Sequence, residues 1–185
     1  MQTEILIAGF GGQGILFAGQ LMAYAALDAG MEVTWIPSYG PEMRGGTANC
    51  TVTIADEEIG APTVRNPKAG MVFNLPSFDK YEPLIKPGGV LIANQSLIDR
   101  GFRRTDLNAV MIPANEIAES LGDKRLTNMV MMGALLELLP VLSIEAIEKT
   151  LGMHLPERHR HLLPLNSKAL QKGAAFAQDV IKVPA

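Results

Sequence analysis

The segment Gly9-Phe10-Gly11-Gly12-Gln13-Gly14 follows the apolar run Ile5-Leu6-Ile7-Ala8 and constrains the fold more than any other stretch. An apolar strand that runs into a glycine-rich turn, with a helix opening from the turn, is the first unit of a doubly wound α/β sheet. Such a turn leaves backbone N–H groups at the positive end of a helix, where a phosphate or carboxylate can sit. Gly9, Gly11 and Gly14 keep the G-x-G-x-x-G spacing of dinucleotide-binding folds. A nicotinamide-type site also needs an acidic residue at the end of the second strand to hold the ribose. Here the second strand is Val33-Thr34-Trp35-Ile36 and it ends in Pro37-Ser38-Tyr39-Gly40, with Glu32 before it and Glu42 well after it. The phosphate half of the motif is present and the ribose half is absent.

The rest of the chain continues a β/α rhythm. A first helix is expected from about Gly14 to Asp28, stopped by Gly30. Thr47 to Ile54 alternates small or polar with apolar residues, the period of a strand with one exposed face, and Glu58-Ile59-Gly60 is expected to return beside it as a hairpin partner. Short strands follow at Gly70–Asn74, Val90–Ala93 and Leu107–Ile112, with Ser77 expected to cap a helix through Leu84 and a helix over Glu116–Leu121. An apolar helix covers Asn128 to Leu139, Ser143 caps a shorter one, and Ser167 to Ile181 is expected to be a last helix on the surface. The expected fold class is α/β, a Rossmann-like mainly parallel central sheet flanked by helices, with an added antiparallel β element. At 185 residues and 48% hydrophobic, one domain over residues 1–185 is expected.

Composition removes several function classes. The net charge is −3 and no basic run occurs, which argues against nucleic acid. The start Met1-Gln2-Thr3-Glu4 lacks the basic opening of a secretory signal, and the apolar stretch Met129–Leu139 is too short to span a bilayer, so a cytoplasmic protein with no membrane partner is expected. The single cysteine, Cys50, excludes an internal disulfide and cannot by itself hold an iron–sulfur cluster or zinc. His154, His159 and His161 fall in one late segment with Arg158 and Arg160 between them, a pattern of a solvated or partner-facing loop rather than a metal site. A charged fraction of 19%, below the usual quarter, leans towards a protein buried in a larger assembly, while most of the ten methionines are assigned to the core.

A second informative segment is Ser38-Tyr39-Gly40-Pro41-Glu42-Met43-Arg44-Gly45-Gly46. Carboxyl ends of parallel strands share one sheet edge, so this loop is expected close to the Gly9–Gly14 turn, where open α/β sheets bind ligands. Arg44 has the chemistry to grip a phosphate or carboxylate, or to pair with an acidic partner; with Glu42 it also makes a local surface pair worth little. In Arg125-Leu126-Thr127-Asn128-Met129, Asn128 stands at the mouth of the long helix, either as an N-cap satisfied by backbone or as a ligand contact, and spacing alone favours the cap.

Three segments in order, Ile7-Ala8-Gly9-Phe10-Gly11-Gly12-Gln13-Gly14-Ile15, Ser38 to Gly46, and Asn128-Met129-Val130-Met131-Met132-Gly133-Ala134, resemble the gamma subunit of 2-oxoacid:ferredoxin oxidoreductases. The resemblance covers nearly the whole chain, including Lys86-Pro87-Gly88-Gly89-Val90-Leu91. It implies a complex that oxidatively decarboxylates a 2-oxoacid to an acyl-coenzyme A, with thiamine diphosphate, [4Fe-4S] clusters and ferredoxin as electron acceptor. The chain lacks the Gly-Asp-Gly opening of a thiamine diphosphate motif; Gly122-Asp123-Lys124 is the nearest and fails. The resemblance therefore places those cofactors on alpha, beta and ferredoxin-like delta partner subunits. It implies that Gly9, Gly11, Gly12, Gln13, Gly14 and Asn128 help bind coenzyme A. Ser38, Tyr39, Glu42, Arg44, Gly45 and Gly46 would face substrate or partner, and no residue here is named as catalytic. Of the acids, 2-oxoglutarate is favoured over branched-chain acids and pyruvate. Two other readings stand beside this one, a free-standing Rossmann-like nucleotide-binding module and a purely structural assembly subunit.

Overall fold

The computed structural model describes residues 1–40 and 46–182. A central strand, β1 (Gln2–Phe10), is followed by α1 (Ile15–Asp28), β2 (Glu32–Tyr39), β3 (Thr47–Ala55) and β4 (Ala69–Val72). Then come α2 (Leu75–Tyr81), β5 (Val90–Asn94), β6 (Asn108–Ile112), α3 (Ala114–Ser120), α4 (Thr127–Leu138), α5 (Ile144–His154) and α6 (Leu163–Lys182). The sheet has six strands in the order β2-β3-β1-β4-β5-β6. β1, β4, β5 and β6 are parallel, while β3 runs antiparallel to both β1 and β2. This is the expected mainly parallel α/β sheet with an added antiparallel element.

The antiparallel element differs in its pairing. β3 takes β2 on one side and β1 on the other, so both its edges are used. Glu58-Ile59-Gly60 is not a strand; residues 56–68 cross back to β4 without ladder pairing, and Pro62 and Pro67 have no N–H to give one. Because β3 is antiparallel to both neighbours, β1 and β2 point the same way although they do not touch as a pair. Glu32 opens β2 at the sheet's amino edge, opposite the glycine turn.

Alternate residues of the strands feed two cores. Ile5, Ile7, Val52, Met71 and Ile92 face α1, α3, α4, α5 and α6, and Val72, Leu91 and Ala93 face Phe78 of α2 together with Ile85 and Ile98. Met22, Met71, Met129, Met131 and Met132 are fully buried, as assigned. Gly30, with a positive φ of 77°, gives its N–H to Leu27 and ends α1. One of two expected helix caps differs. Asn74 caps α2, its side chain accepting from the Ser77 N–H at 3.0 Å, so Ser77 is a donor and not the cap. Ser143 caps α5 through the Ala146 N–H, as expected.

The last helix lies on the surface, as expected, with one face closely packed. α6 buries Asn166, Ala169, Leu170, Gly173, Ala174 and Ala177, and its backbone packs directly on α4. A Cβ added at Gly133 of α4 would overlap the Leu170 carbonyl, and one at Gly173 would overlap the Val130 carbonyl. These reciprocal contacts allow a backbone-to-backbone crossing that any side chain would wedge apart. Gly133→Ala is expected to destabilise the chain by about 3 kcal/mol in urea unfolding, the upper range for overpacking. Gly152→Ala in α5, where an added Cβ meets nothing, is expected to be neutral or slightly stabilising. Equal effects of the two substitutions would show that the crossing is not close-packed.

Candidate functional site

The carboxyl edge of β1 is where the chain's path divides. From β1 it leaves through α1 towards β2, and the later strands β4, β5 and β6 build out on the other side. Open α/β sheets bind ligands at such a switch point. Gly14 is the N-cap of α1 in the left-handed region at φ 73°, and no side chain caps the helix. The first-turn N–H groups therefore lack an intrahelical acceptor and are open to an anion. Gly12 also has a positive φ, 100°, with open space where a Cβ would lie. Gly9 plays a different part: a Cβ there would collide with Gln13, Ile15 and Phe73, so its bareness lets strand, turn and helix close on one another.

Side-chain amides shape this edge. Gln13 Oε1 accepts from the Phe10 N–H at 2.6 Å and from Asn74 Nδ2 at 3.3 Å. Asn94 Nδ2 donates to Asn115 Oδ1 at 3.1 Å; Thr127 Oγ1 lies 3.3 Å from the same oxygen but gives its one proton to the Lys124 carbonyl at 2.8 Å. Each of the four parallel strands is thus ended or closely followed by an amide: Gln13 after β1, Asn74 after β4, Asn94 at the end of β5 and Asn115 after β6. Asn74 and Asn94 are buried, while Gln13 and Asn115 are half-buried. Asn74, Asn94 and Asn115 were not singled out from the sequence. Their signal was there: an amide within three residues of each strand end.

Gly12, Gln13, Gly14, Asn115, Lys124, Arg125 and Thr127 line a cleft of about 390 Å³ at this edge. Lys124 and Arg125 are already paired, with Glu119 at 3.1 Å and Asp123 at 2.7 Å, yet both remain mostly exposed. Hydrogen bonds from the Arg125 side chain and backbone hold the Asp123 carboxyl below the usual range. On the far side of the turn, Phe10, Gly11, Phe17 and Tyr39 help line a hollow of about 300 Å³.

Asn128 is not the N-cap of α4; that position is Leu126, which makes no side-chain cap bond. Asn128 lies inside the first turn and is 5% exposed. Its Nδ2 donates to the Gly14 carbonyl at 3.3 Å and its Oδ1 accepts from the Met129 N–H at 2.9 Å, so it ties the start of α4 to the start of α1. The expected meeting of the two glycine loops occurs through backbone: the Gly11 N–H donates to the Gly46 carbonyl at 2.9 Å. Ser38 and Tyr39 end β2 and are exposed. Glu42, Arg44 and Gly45 lie outside the described residues.

The histidines are not together. His154 ends α5, stacked on Tyr24 with ring centroids 4.4 Å apart and 3.5 Å from Asp28, while His159 and His161 lie in the turn Glu157–Leu162. Among the described residues no three His, Cys, Asp or Glu side chains gather to hold a metal. Nor is any helix among them long and apolar enough to cross a membrane.

Residues 4–176 match the family model described as pyruvate ferredoxin/flavodoxin oxidoreductase. A ketoisovalerate oxidoreductase subunit, VorA, of Methanothermobacter marburgensis is 34% identical over 178 residues, covering 96% of this chain and 37% of its own. The chain thus spans little more than a third of that relative's length. The gamma subunit of a keto/oxoacid ferredoxin oxidoreductase from Geobacter sulfurreducens superposes with a TM-score of 0.81 at 32% identity, over 96% of this chain and 99% of that one. A 2-oxoglutarate:ferredoxin oxidoreductase from Magnetococcus marinus, solved with 2-oxoglutarate, coenzyme A and succinyl-CoA bound, has a TM-score of 0.87 at 27% identity. The match covers 98% of this chain and 32% of that one.

Cys50 lies behind the turn with its Sγ directed at the Ile15 carbonyl, and burial pushes its thiol up to about 12. It is no nucleophile. The folded chain is expected to resist maleimide at pH 8 and to react at once in urea. A thiol with its folded pKa raised keeps its stabilising share below the unfolded value near 9. That share is lost as pH rises above it, because the unfolded thiol ionises first. Cys50→Ser is expected to flatten the alkaline fall in stability. Rapid labelling of the folded chain would show that the thiol is not buried.

Proposed function

The chain belongs to the pyruvate ferredoxin/flavodoxin oxidoreductase family, and on that premise we propose that it acts as a gamma-type unit, residues 1–185, of a cytoplasmic 2-oxoacid:ferredoxin oxidoreductase. Its share of the work is to hold coenzyme A beside a thiamine diphosphate subunit. 2-Oxoglutarate is the acid we favour, with ketoisovalerate and pyruvate as the alternatives to be compared in the assay. Alpha, beta and ferredoxin-like delta subunits complete the complex, and ferredoxin takes the electrons.

The observation that carries this reading is the chemistry of the cleft at the end of β1. Its lining side chains are amides, a hydroxyl and two cations, none of them acidic, beside a glycine turn with open N–H groups. That donor set suits the pyrophosphate and 3′-phosphate of coenzyme A, and no ribose acid is required.

The other cofactors do not fit this chain. Cys50, the one cysteine, is buried and directed at a backbone carbonyl, so it supplies no cluster ligand. In Gly122-Asp123-Lys124 the Asp123 carboxylate is taken up by the Arg125 side chain and N–H. It is therefore not free to hold the metal of a thiamine diphosphate site. The chain's contribution is orientation: held at the right distance, the acyl acceptor meets the acyl group as if in one molecule, which is worth on the order of 7 kcal/mol in favourable cases.

Charge reversal tests the reading. Lys124 and Arg125 side chains are 81% and 76% exposed, so Lys124→Glu with Arg125→Glu is expected to leave the chain folded, and assembly is checked by gel filtration before the kinetics are read. In the assembled enzyme the KM for coenzyme A is expected to rise about tenfold or more, equivalent to about 1.4 kcal/mol, with the KM for the 2-oxoacid unchanged. An unchanged coenzyme A KM in an intact complex would remove the assignment and leave a structural subunit.

A further inference from the structure

Gln13 and Asn115 sit in the same cleft and are held in the same way. Each has its carbonyl oxygen pinned by protein donors, Phe10 N–H and Asn74 Nδ2 for Gln13, and Asn94 Nδ2 for Asn115. A primary amide has one acceptor end and one donor end, so fixing the oxygen fixes where the NH₂ group goes. Neither NH₂ group has a hydrogen-bond partner among the described residues, and both residues line the cleft.

The buried amides behind them decide that orientation. Asn74 uses its own oxygen to cap α2 and Asn94 uses its oxygen for the Ser96 N–H, so each is left with only donors to offer forward. Two buried asparagines, each committed to a helical turn behind the edge, thereby force two half-buried amides to present N–H to the cleft. Turning the Gln13 or Asn115 amide round would set N–H against N–H at these contacts, which is costly.

The geometry points to Gln13 and Asn115 as a pair of amide donors to a phosphoryl oxygen of the bound ligand. Asn74 and Asn94 are positioning residues that fix the polarity of the pair. This rests on the coenzyme A reading and adds to it the group recognised and the residues that recognise it.

The test uses isosteric changes in the assembled enzyme. Gln13→Glu and Asn115→Asp keep an oxygen for the pinning donors and replace only the cleft-facing NH₂ with a charged oxygen. Each is expected to raise the KM and calorimetric Kd for coenzyme A about tenfold or more, with the 2-oxoacid KM unchanged. Asn115→Ser, which keeps a hydroxyl for Asn94 and adds no charge, is expected to move the same constants in the same direction at high salt, where a long-range charge effect is screened. Inorganic pyrophosphate as a competitor and 3′-dephospho-coenzyme A as a substrate distinguish the sources of the anion. Weakened pyrophosphate competition in the variants assigns the pair to the diphosphate; loss of discrimination against the dephospho substrate assigns it to the 3′-phosphate. Asn74→Ser retains an oxygen to cap α2 but releases Gln13; it is expected to speed hydrogen exchange at the Phe10 amide and raise the coenzyme A KM.

Unchanged coenzyme A constants in Gln13→Glu, Asn115→Asp and Asn115→Ser, beside a raised KM in the Lys124/Arg125 reversal, would overturn the donor pair and leave the coenzyme A reading standing. No change in any of them would overturn both.

Discussion

β1 is held by ladders of opposite sense, antiparallel to β3 over nine residue pairs and parallel to β4 over four, and the rest of the molecule is arranged by that difference. The long antiparallel ladder fixes β1 along its whole length, up to the Phe10–Thr47 pair beside the glycine turn. The short parallel ladder stops at Ala8 and Val72, so the two neighbours diverge just where the turn begins. The cleft opens at that end of β1. A simple doubly wound sheet would place β2 directly beside β1. Here β3 is inserted between them, and the loop that joins β2 to β3 is brought round so that Gly46 accepts from Gly11.

The turn is braced from several directions at once. Gln13 folds back onto the Phe10 N–H, Asn74 reaches across from the end of β4, and Asn128 reaches from α4 to the Gly14 carbonyl. None of these groups is charged. Neutral amides satisfy backbone and each other without adding anions to a site proposed to receive phosphate, and without the desolvation cost of burying a charge. The positive charge stays at the rim on Lys124 and Arg125, where solvent still reaches it.

The glycine turn, α1 and its stop at Gly30, the parallel strands and the Ser143 cap were legible because each depends on local pattern: apolar runs, glycine at positive φ, a hydroxyl before a helix. The partner of β3 was not legible. The alternation over Thr47–Ala55 fits a strand beside any neighbour, and which neighbour it takes depends on the path of the whole chain. The close packing of α6 on α4 was also hidden, because what allows it is the absence of side chains at Gly133 and Gly173, which hydrophobic periodicity does not register. As a cap, Asn128 was misplaced by two residues: the short turn Lys124–Leu126 runs straight into α4, so the helix starts before it. At the candidate site the glycines were visible, and the amides that orient the cleft were not. Their partners lie far off in sequence, 61 residues away for Gln13 and Asn74, and single asparagines after strands look like ordinary turn formers.

Among the described residues, none of the side chains lining the cleft is a carboxylate, thiol or imidazole suited to nucleophilic attack or acid–base chemistry. The cysteine is buried and protonated, and the acids nearest the cleft are committed to arginine and lysine. A rigid donor surface with no reactive group is what a binding half-site needs when the chemistry belongs to a neighbour. A unit that holds coenzyme A, as proposed, contributes to rate through position, and position is worth most when the groups that set it do not have to move. That is the physical sense of the two-tier arrangement. Buried Asn74 and Asn94, committed to helical turns, hold half-buried Gln13 and Asn115, so the polarity of the cleft is settled by folding before any ligand arrives.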